Sequence, residues 1–326
     1  MAGYLLRRLL YALPILLGVN LITFALFFMV NSPDDMARMQ LGVKRVTPEA
    51  IAQWKAERGY DKPLFLNGQA QGVAQITETI FYEKSILLFA GDFGRSEDGR
   101  EIGQEIRERM GPSLAIAIPT FILGLGLTVS LALFFVLFRG AWLDRTGVVL
   151  CVGLMSISSL FFIIGGQFLF ARILQWVPIS GYASNPLVAW HFLILPVAVA
   201  IVSGLGGSTR WYRTLFLEEI GKDYVRTARA KGLSDAAVLF RHVLRNGLIP
   251  ILTGVVVVIP SLFLGSLLLE SFFGIPGLGS YTIDAIAAQD FAVVRTMVFL
   301  GSVLYLIGLI LTDLSYTLVD PRIRLK

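Results

Sequence analysis

Few side chains in this 326-residue sequence could do chemistry, and none stands at a catalytic spacing. The two histidines, His191 and His242, lie far apart in the chain, with no H-E-x-x-H around either, and no G-x-S-x-G elbow occurs. That leaves neither a zinc-hydrolase centre nor a nucleophile with a base beside it. His191 reads better as an interface-facing ring, and His242 as a packing residue of its loop. The single cysteine, Cys151, lies in an apolar run and has no partner for an intrachain disulfide. A nucleotide-binding G-x-x-x-x-G-K-[ST] loop is missing too: Gly221-Lys222 is followed by Asp223 and lacks the upstream glycine.

Polar and small residues are patterned most tightly in Glu218–Arg245. Gly221 breaks a preceding helix, and Asp223 is suited to cap a short helix running from Tyr224 to Lys231. Arg229 and Lys231 fall in its last turn, where cations suit the helix dipole. Gly232 is placed to end it in the left-handed conformation, and Ser234 can cap the next helix. Ala228 and Ala230 keep the short helix slim. A helix of two turns is marginal in water by itself, so it needs a surface: lipid headgroups along an amphipathic face, or a groove on another protein.

The elements around this loop are unusually apolar. The chain is 55% hydrophobic and 16% charged, with a mean hydropathy of +0.71, against about 25% charged residues in soluble domains. Six segments are long enough to span a bilayer: Leu9–Val30, Ser113–Phe138, Thr146–Ala171, Leu187–Thr209, Asn246–Leu269 and Phe291–Thr312. Five of them contain no Asp, Glu, Lys or Arg, the fourth holding His191; the sixth holds Arg295. The first is too long for a signal-peptide core and has no small-residue cleavage site behind it, so it reads as an uncleaved helix. The sequence thus specifies an all-α membrane protein with six transmembrane helices.

Orientation follows from Lys and Arg in the short loops. Arg7 and Arg8 precede the first span, and Arg139 and Arg145 separate the second from the third. Arg210, Arg213, Lys222, Arg226, Arg229, Lys231, Arg241 and Arg245 separate the fourth from the fifth, and Arg322, Arg324 and Lys326 end the chain. The opposite loops, Ile173–Pro186 and Glu270–Asp290, have neither Lys nor Arg. Both termini are therefore expected in the cytoplasm. The net charge of +5 reflects topology, with no nucleic acid needed. The domain plan is 1–30, N-terminal region and first helix; 31–112, an external loop region; 113–318, a five-helix core containing the cytoplasmic loop 218–245; and 319–326, a cytoplasmic tail. The 31–112 region is either a small domain or a lid. Thr47 and Pro48 start a helix in it, and Ile102–Met110 forms an amphipathic helix leading into the second span.

Prolines at 14, 119, 196, 250 and 260 fall inside the spans, either bending helices around a path or as ordinary membrane-helix proline. Phe161, Phe162, Phe168 and Phe170 either line such a path or face lipid. Trp176 and Tyr182 fit an interfacial belt. Glu270 and Asp313 fall near span ends, away from the mid-membrane positions that ion-coupled carriers use. An ion-coupled secondary transporter of small solutes is therefore the alternative reading.

Arg226-Thr227-Ala228-Arg229-Ala230-Lys231-Gly232-Leu233-Ser234 resembles the coupling-loop motif of bacterial ABC importer permeases, in the form typical of dipeptide and oligopeptide systems. Arg226 stands where the general motif has Glu, and Thr227 where it has its first Ala. Gly91-Asp92-Phe93-Gly94-Arg95-Ser96, Pro276-Gly277-Leu278-Gly279 and Asp320-Pro321-Arg322-Ile323 resemble further family segments in the same order; Asp34–Ala90 matches weakly, through Tyr60-Asp61-Lys62-Pro63. The resemblance implies a type I ABC importer permease fold in the bacterial inner membrane and half of a pathway for peptides. It implies a second homologous permease, two cytoplasmic ABC ATPase subunits and a periplasmic or lipid-anchored solute-binding protein as partners. Tyr224, Val225, Arg226, Thr227, Ala228, Arg229, Ala230, Lys231, Gly232, Leu233 and Ser234 would dock in an ATPase cleft. This chain itself would carry no catalytic residue, metal or cofactor, with ATP and Mg bound by the partner ATPases.

Overall fold

The computed structural model describes residues 2–42 and 46–319, so the 320–323 signature and the basic tail lie outside the described residues. The fold is helical throughout the long apolar runs, as a chain in lipid must be to satisfy its own backbone hydrogen bonds. In order, the helices are α1 (Ala2–Ala25), α2 (Pro33–Leu41), α3 (Pro48–Arg58), α4 (Ala74–Thr77), α5 (Ile102–Leu137), α6 (Trp142–Ser156) and α7 (Ser159–Gly166). Then come α8 (Pro186–Ile220), α9 (Asp223–Ala230), α10 (Asp235–Val238), α11 (Leu244–Val258), α12 (Leu267–Phe273), α13 (Leu278–Ala287) and α14 (Phe291–Val319). Large apolar side chains stay uncovered along them: Ile22 is 63%, Val149 70% and Phe161 74% exposed. Such surface suits a hydrocarbon solvent, since water-soluble monomers rarely leave wide apolar patches bare.

Five helices are long and apolar enough to cross a membrane, and a sixth crossing exists if α6 and α7 count as one bent span. The third expected segment, Thr146–Ala171, is therefore not one straight helix. Ile157 and Ser158 are extended, Ser158 Oγ accepts a hydrogen bond from Leu160 N at 3.4 Å, and the two halves meet at 89°. The fifth segment, expected to run to Leu269, stops at Leu264. Gly265 adopts φ 71°, which a side chain would strain, and α12 starts afresh beyond it. α5 has 36 residues, roughly 54 Å at 1.5 Å per residue, against about 30 Å of hydrocarbon. Its charged first turns, through Arg109, are the expected amphipathic stretch fused to the second span.

The chain forms two compact units. One comprises Met1–Arg109 and Tyr281–Ile310. Its core joins Phe24 and Phe28 to Met36, Ala37, Ile51, Trp54, Tyr60 and Ile80, with edge-to-face rings at Phe24–Phe81 (5.0 Å) and Phe28–Tyr60 (5.3 Å). The segment after the first span thus packs on the end of that span, through Phe24 and Phe28. Thr47 Oγ caps α3 by accepting from Ala50 N, with Pro48 at the first helical position, and Ser32 and Asp35 make a reciprocal capping box on α2.

The other unit comprises, among the described residues, Met110–Ser280 and residues 311–319. Here α6 packs along α8 at Gly206, where a Cβ would run into the Cys151 carbonyl and stand 3.1 Å from Leu154 Cβ. Beside this contact Arg213 makes two 2.8 Å bonds to the buried Asp144 carboxylate, which also accepts from Gly140 N. This is the planar fork-to-carboxylate geometry that only Arg supplies.

Candidate functional site: the loop between α8 and α11

The candidate loop begins where α8 ends. Glu219, mostly buried, receives hydrogen bonds from Lys222 Nζ and from Tyr224 Oη, the latter at 2.7 Å. Lys222 is extended (φ −77°, ψ 153°) and is the residue that precedes the helix, with no side-chain cap bond. Asp223 is therefore the first residue of α9 instead of its N-cap, and the helix ends at Ala230, not Lys231. A carboxylate in the first turn still faces the positive end of the helix dipole, so the residue type reports the helix start with an error of one position.

The C-terminus follows the sequence reading closely. Gly232 has φ 80°; Gly232 N donates to Arg229 O at 2.9 Å and Leu233 N to Ala228 O at 3.4 Å. This pair of bonds is the Schellman arrangement, completed by apolar contact around Leu233. Ser234 Oγ caps α10, accepting from Ala237 N at 3.3 Å, and Arg229 pairs with Asp235 across the turn at 3.0 Å.

The two faces of α9 differ sharply. Val225 is fully buried and Ala228 is 5% exposed, one helical turn apart on one side. They join a cluster with Ala132, Leu133 and Val136 of α5, Phe216 and Ile220 of α8, and Val238, Leu239 and Val243 ahead of α11. Gly247 of α11 lets Phe216 come close, since a Cβ there would be 2.7 Å from the ring. The surface that the short helix needs is thus supplied, on this side, by its own chain. On the other side Asp223, Arg226, Thr227, Ala230 and Lys231 are exposed, with Arg226 and Asp223 in a solvent-facing pair at 3.4 Å. Tyr224 and Leu233 are half-buried between the faces. Burial, and secondarily the bond to Glu219, push the Tyr224 phenol up to about 12, so it remains a neutral donor at physiological pH.

A second constellation escaped the sequence reading. Glu270, at a span end, is completely buried. Its carboxylate accepts from Ser266 N (3.0 Å), Gly279 N (2.7 Å) and Ser280 N (3.1 Å), while Ser113 Oγ accepts from Leu278 N at 2.8 Å. Cβ atoms at Gly265 or Gly277 would collide with the carboxylate. Glu270 is therefore a structural anchor for the Pro276–Gly279 turn, and the glycines make room for it. The available signal was an isolated acid inside an apolar run, followed by a glycine-rich turn.

The histidines are not brought together: His191 stacks on Trp190 at 3.7 Å between ring centroids, and His242 is half-buried beside α11. Among the described residues no three His, Cys, Asp or Glu side chains converge as a metal site. Phe161 and Phe168 are exposed, as is Trp176 at 69%.

Two family profiles match the chain: residues 112–325 match one described as the binding-protein-dependent transport system inner membrane component, and residues 1–86 match its N-terminal companion. A putative peptide transport system permease protein of Brucella abortus is 32% identical over 99% of both chains. A probable peptide ABC transporter permease protein of Sinorhizobium fredii is 32% identical over 99% of this chain and 100% of its own. The dipeptide transport system permease protein DppB of Escherichia coli is 30% identical over 100% of both. With the long apolar helices and the capped, two-faced α9 already described, these matches along the whole length make the chain a member of the family of inner-membrane components of binding-protein-dependent transport systems.

Proposed function

We propose that this permease subunit carries short peptides across the inner membrane and is driven through α9 by a separate ATPase. The observation that carries the coupling is the asymmetry of that helix. Its inner face is fused by Val225 and Ala228 to the ends of α5, α8 and the helix entering α11, and its outer face is free. A force applied to Arg226, Thr227 or Ala230 would therefore reach three membrane helices at once through a close-packed cluster, which moves as a body more readily than it deforms. On this reading the Arg and Lys side chains of the loop face the cytoplasm, as do both termini. The docking surface is narrower than all of Tyr224–Ser234: Val225 and Ala228 belong to the internal cluster, and Gly232 shapes the turn. The partners are a homologous permease, two ATPases that bind ATP and Mg, and an external binding protein. Peptide as the solute is supported by what the relatives are named for.

The decisive experiment is disulfide crosslinking from Thr227→Cys or Ala230→Cys to single cysteines in the cleft of the neighbouring ATPase, in inverted vesicles. The expected result is a crosslink whose yield changes on ATP binding. If both positions label only from outside, or crosslink to lipid probes alone, the coupling role fails. ATP-independent uptake by the lone chain driven by a proton or sodium gradient would replace it with the secondary-transporter reading.

A further inference from the structure

The sixth span carries a buried charge with no ion-pair contact. Arg295 is 3% exposed, and its Nε and Nη1 make no hydrogen bond. Its guanidinium lies 5.5 Å from the Phe28 ring centroid. The neighbouring acid, Asp290, is already engaged: Oδ1 accepts from Val293 N at 3.1 Å and Oδ2 from Glu97 N at 2.7 Å. Two buried guanidinium nitrogens left without an acceptor are unfavourable, unless something outside the chain supplies one.

Arg295 lines a cleft of about 570 Å³, together with Tyr60, Lys84, Leu88 and Phe93. Lys84 is a second unpaired cation: its ammonium lies 5.4 Å from the Tyr60 ring centroid, and it forms no ion pair among the described residues. Burial and the charge of Arg295 both lower the Lys84 pKa from its ordinary value, so the two cations feel each other. The acids lining the same cleft are all engaged. Glu83 holds Lys62, Glu97 holds Arg58 at 2.6 Å, Asp92 accepts from Gly94 N, and Glu57 accepts from Gln53. A buried guanidinium with two unbonded nitrogens and, on the same cleft, a half-buried ammonium without an ion pair make a place for an anion. The planar fork of Arg favours a carboxylate, and the aromatic and leucine walls, with a volume in the range of small-molecule sites, favour an organic one.

We propose that this cleft binds the carboxylate of a small organic molecule through Arg295 and Lys84. The proposal does not depend on which solute the transporter carries or on how α9 couples. It is tested by the melting temperature of the full chain, purified in its transporter complex, in carboxylate-free buffer at constant ionic strength. Sodium acetate, glycylglycine, glycylglycine amide and inorganic phosphate are titrated separately. Ligand binding to the folded state raises the melting temperature, the stabilisation growing as RT ln(1 + [L]/Kd) and so with the logarithm of ligand above Kd. The expected result is a rise of that form with acetate and glycylglycine and none with the amide. Arg295→Gln should abolish the rise while melting, without ligand, no lower than wild type, because it removes a buried group with two unbonded nitrogens. Lys84→Gln should raise the dissociation constant fitted from these shifts about tenfold, the loss of one charge-assisted contact. Should Arg295→Gln fail to fold, the Lys84→Gln titration and the amide comparison still decide. The proposal is overturned if no carboxylate gives a rise of that form, if the amide protects equally, or if only phosphate protects.

Discussion

Trimming Val225 to alanine should loosen α9 by a definite amount. The side chain is fully buried in the cluster formed with Leu133, Phe216 and Val243. Two methyl groups leave, each worth about 0.8 kcal/mol of transfer free energy, and incomplete collapse around the void brings the total to about 2 kcal/mol. Because α9 is short and held by only one face, the loss falls on its local opening and not on the membrane helices. About 2 kcal/mol is roughly a thirtyfold change in the opening equilibrium. Hydrogen–deuterium exchange read by mass spectrometry should therefore speed up about thirtyfold for the α9 amides and stay near wild type in α6 and α14. Arg226→Ala, which removes a solvent-exposed ion pair, should leave the same amides within about twofold, as exposed pairs contribute little. If Val225→Ala leaves α9 exchange unchanged, or Arg226→Ala accelerates it as much, the helix is not held by its inner face and the force path described above is wrong.

Two further outcomes follow from buried polar groups. Glu270→Ala should orphan the amides of Ser266, Gly279 and Ser280; at about 1.5–3 kcal/mol for each bond to a charged acceptor, thermal unfolding of the purified chain should drop by many degrees, and Glu270→Gln by less. A Glu270→Ala protein melting like wild type would remove the anchor role. For Tyr224 the phenol keeps its proton more tightly when folded, so its contribution is complete below the unfolded value of 10 and disappears as pH rises through about 12. The difference titration between wild type and Tyr224→Phe, followed by tyrosinate absorbance, should show its midpoint near 12; a midpoint at 10 would mean that Tyr224 is neither buried nor bonded to Glu219.

What the sequence determined by itself were the features whose causes are local. Apolar runs long enough for hydrocarbon mark the spans, because backbone groups in lipid can only pair within a helix. Thr47 with Pro48, Gly232 and Ser234 mark their helix ends because each acts on partners within about one turn of chain. Tertiary structure decided whatever depends on groups distant in sequence. Straightness of the third span was lost at Ile157–Ser158, where Ser156, Ser158 and Ser159 cluster in an otherwise apolar run. Glu270 became an anchor only because Gly279 and Ser280 turn back onto it. The motif Arg226–Ser234 was legible as a unit, yet which of its residues face inward depends on where α5, α8 and α11 end. Arg295 likewise reads as one charge near a span end; that it is buried with two nitrogens unbonded, while the Asp290 carboxylate accepts from two backbone amides, emerges only from the packing. Periodicity says that a helix has two faces, but burial is a property of both partners, and the second partner is set by the packing of the whole chain.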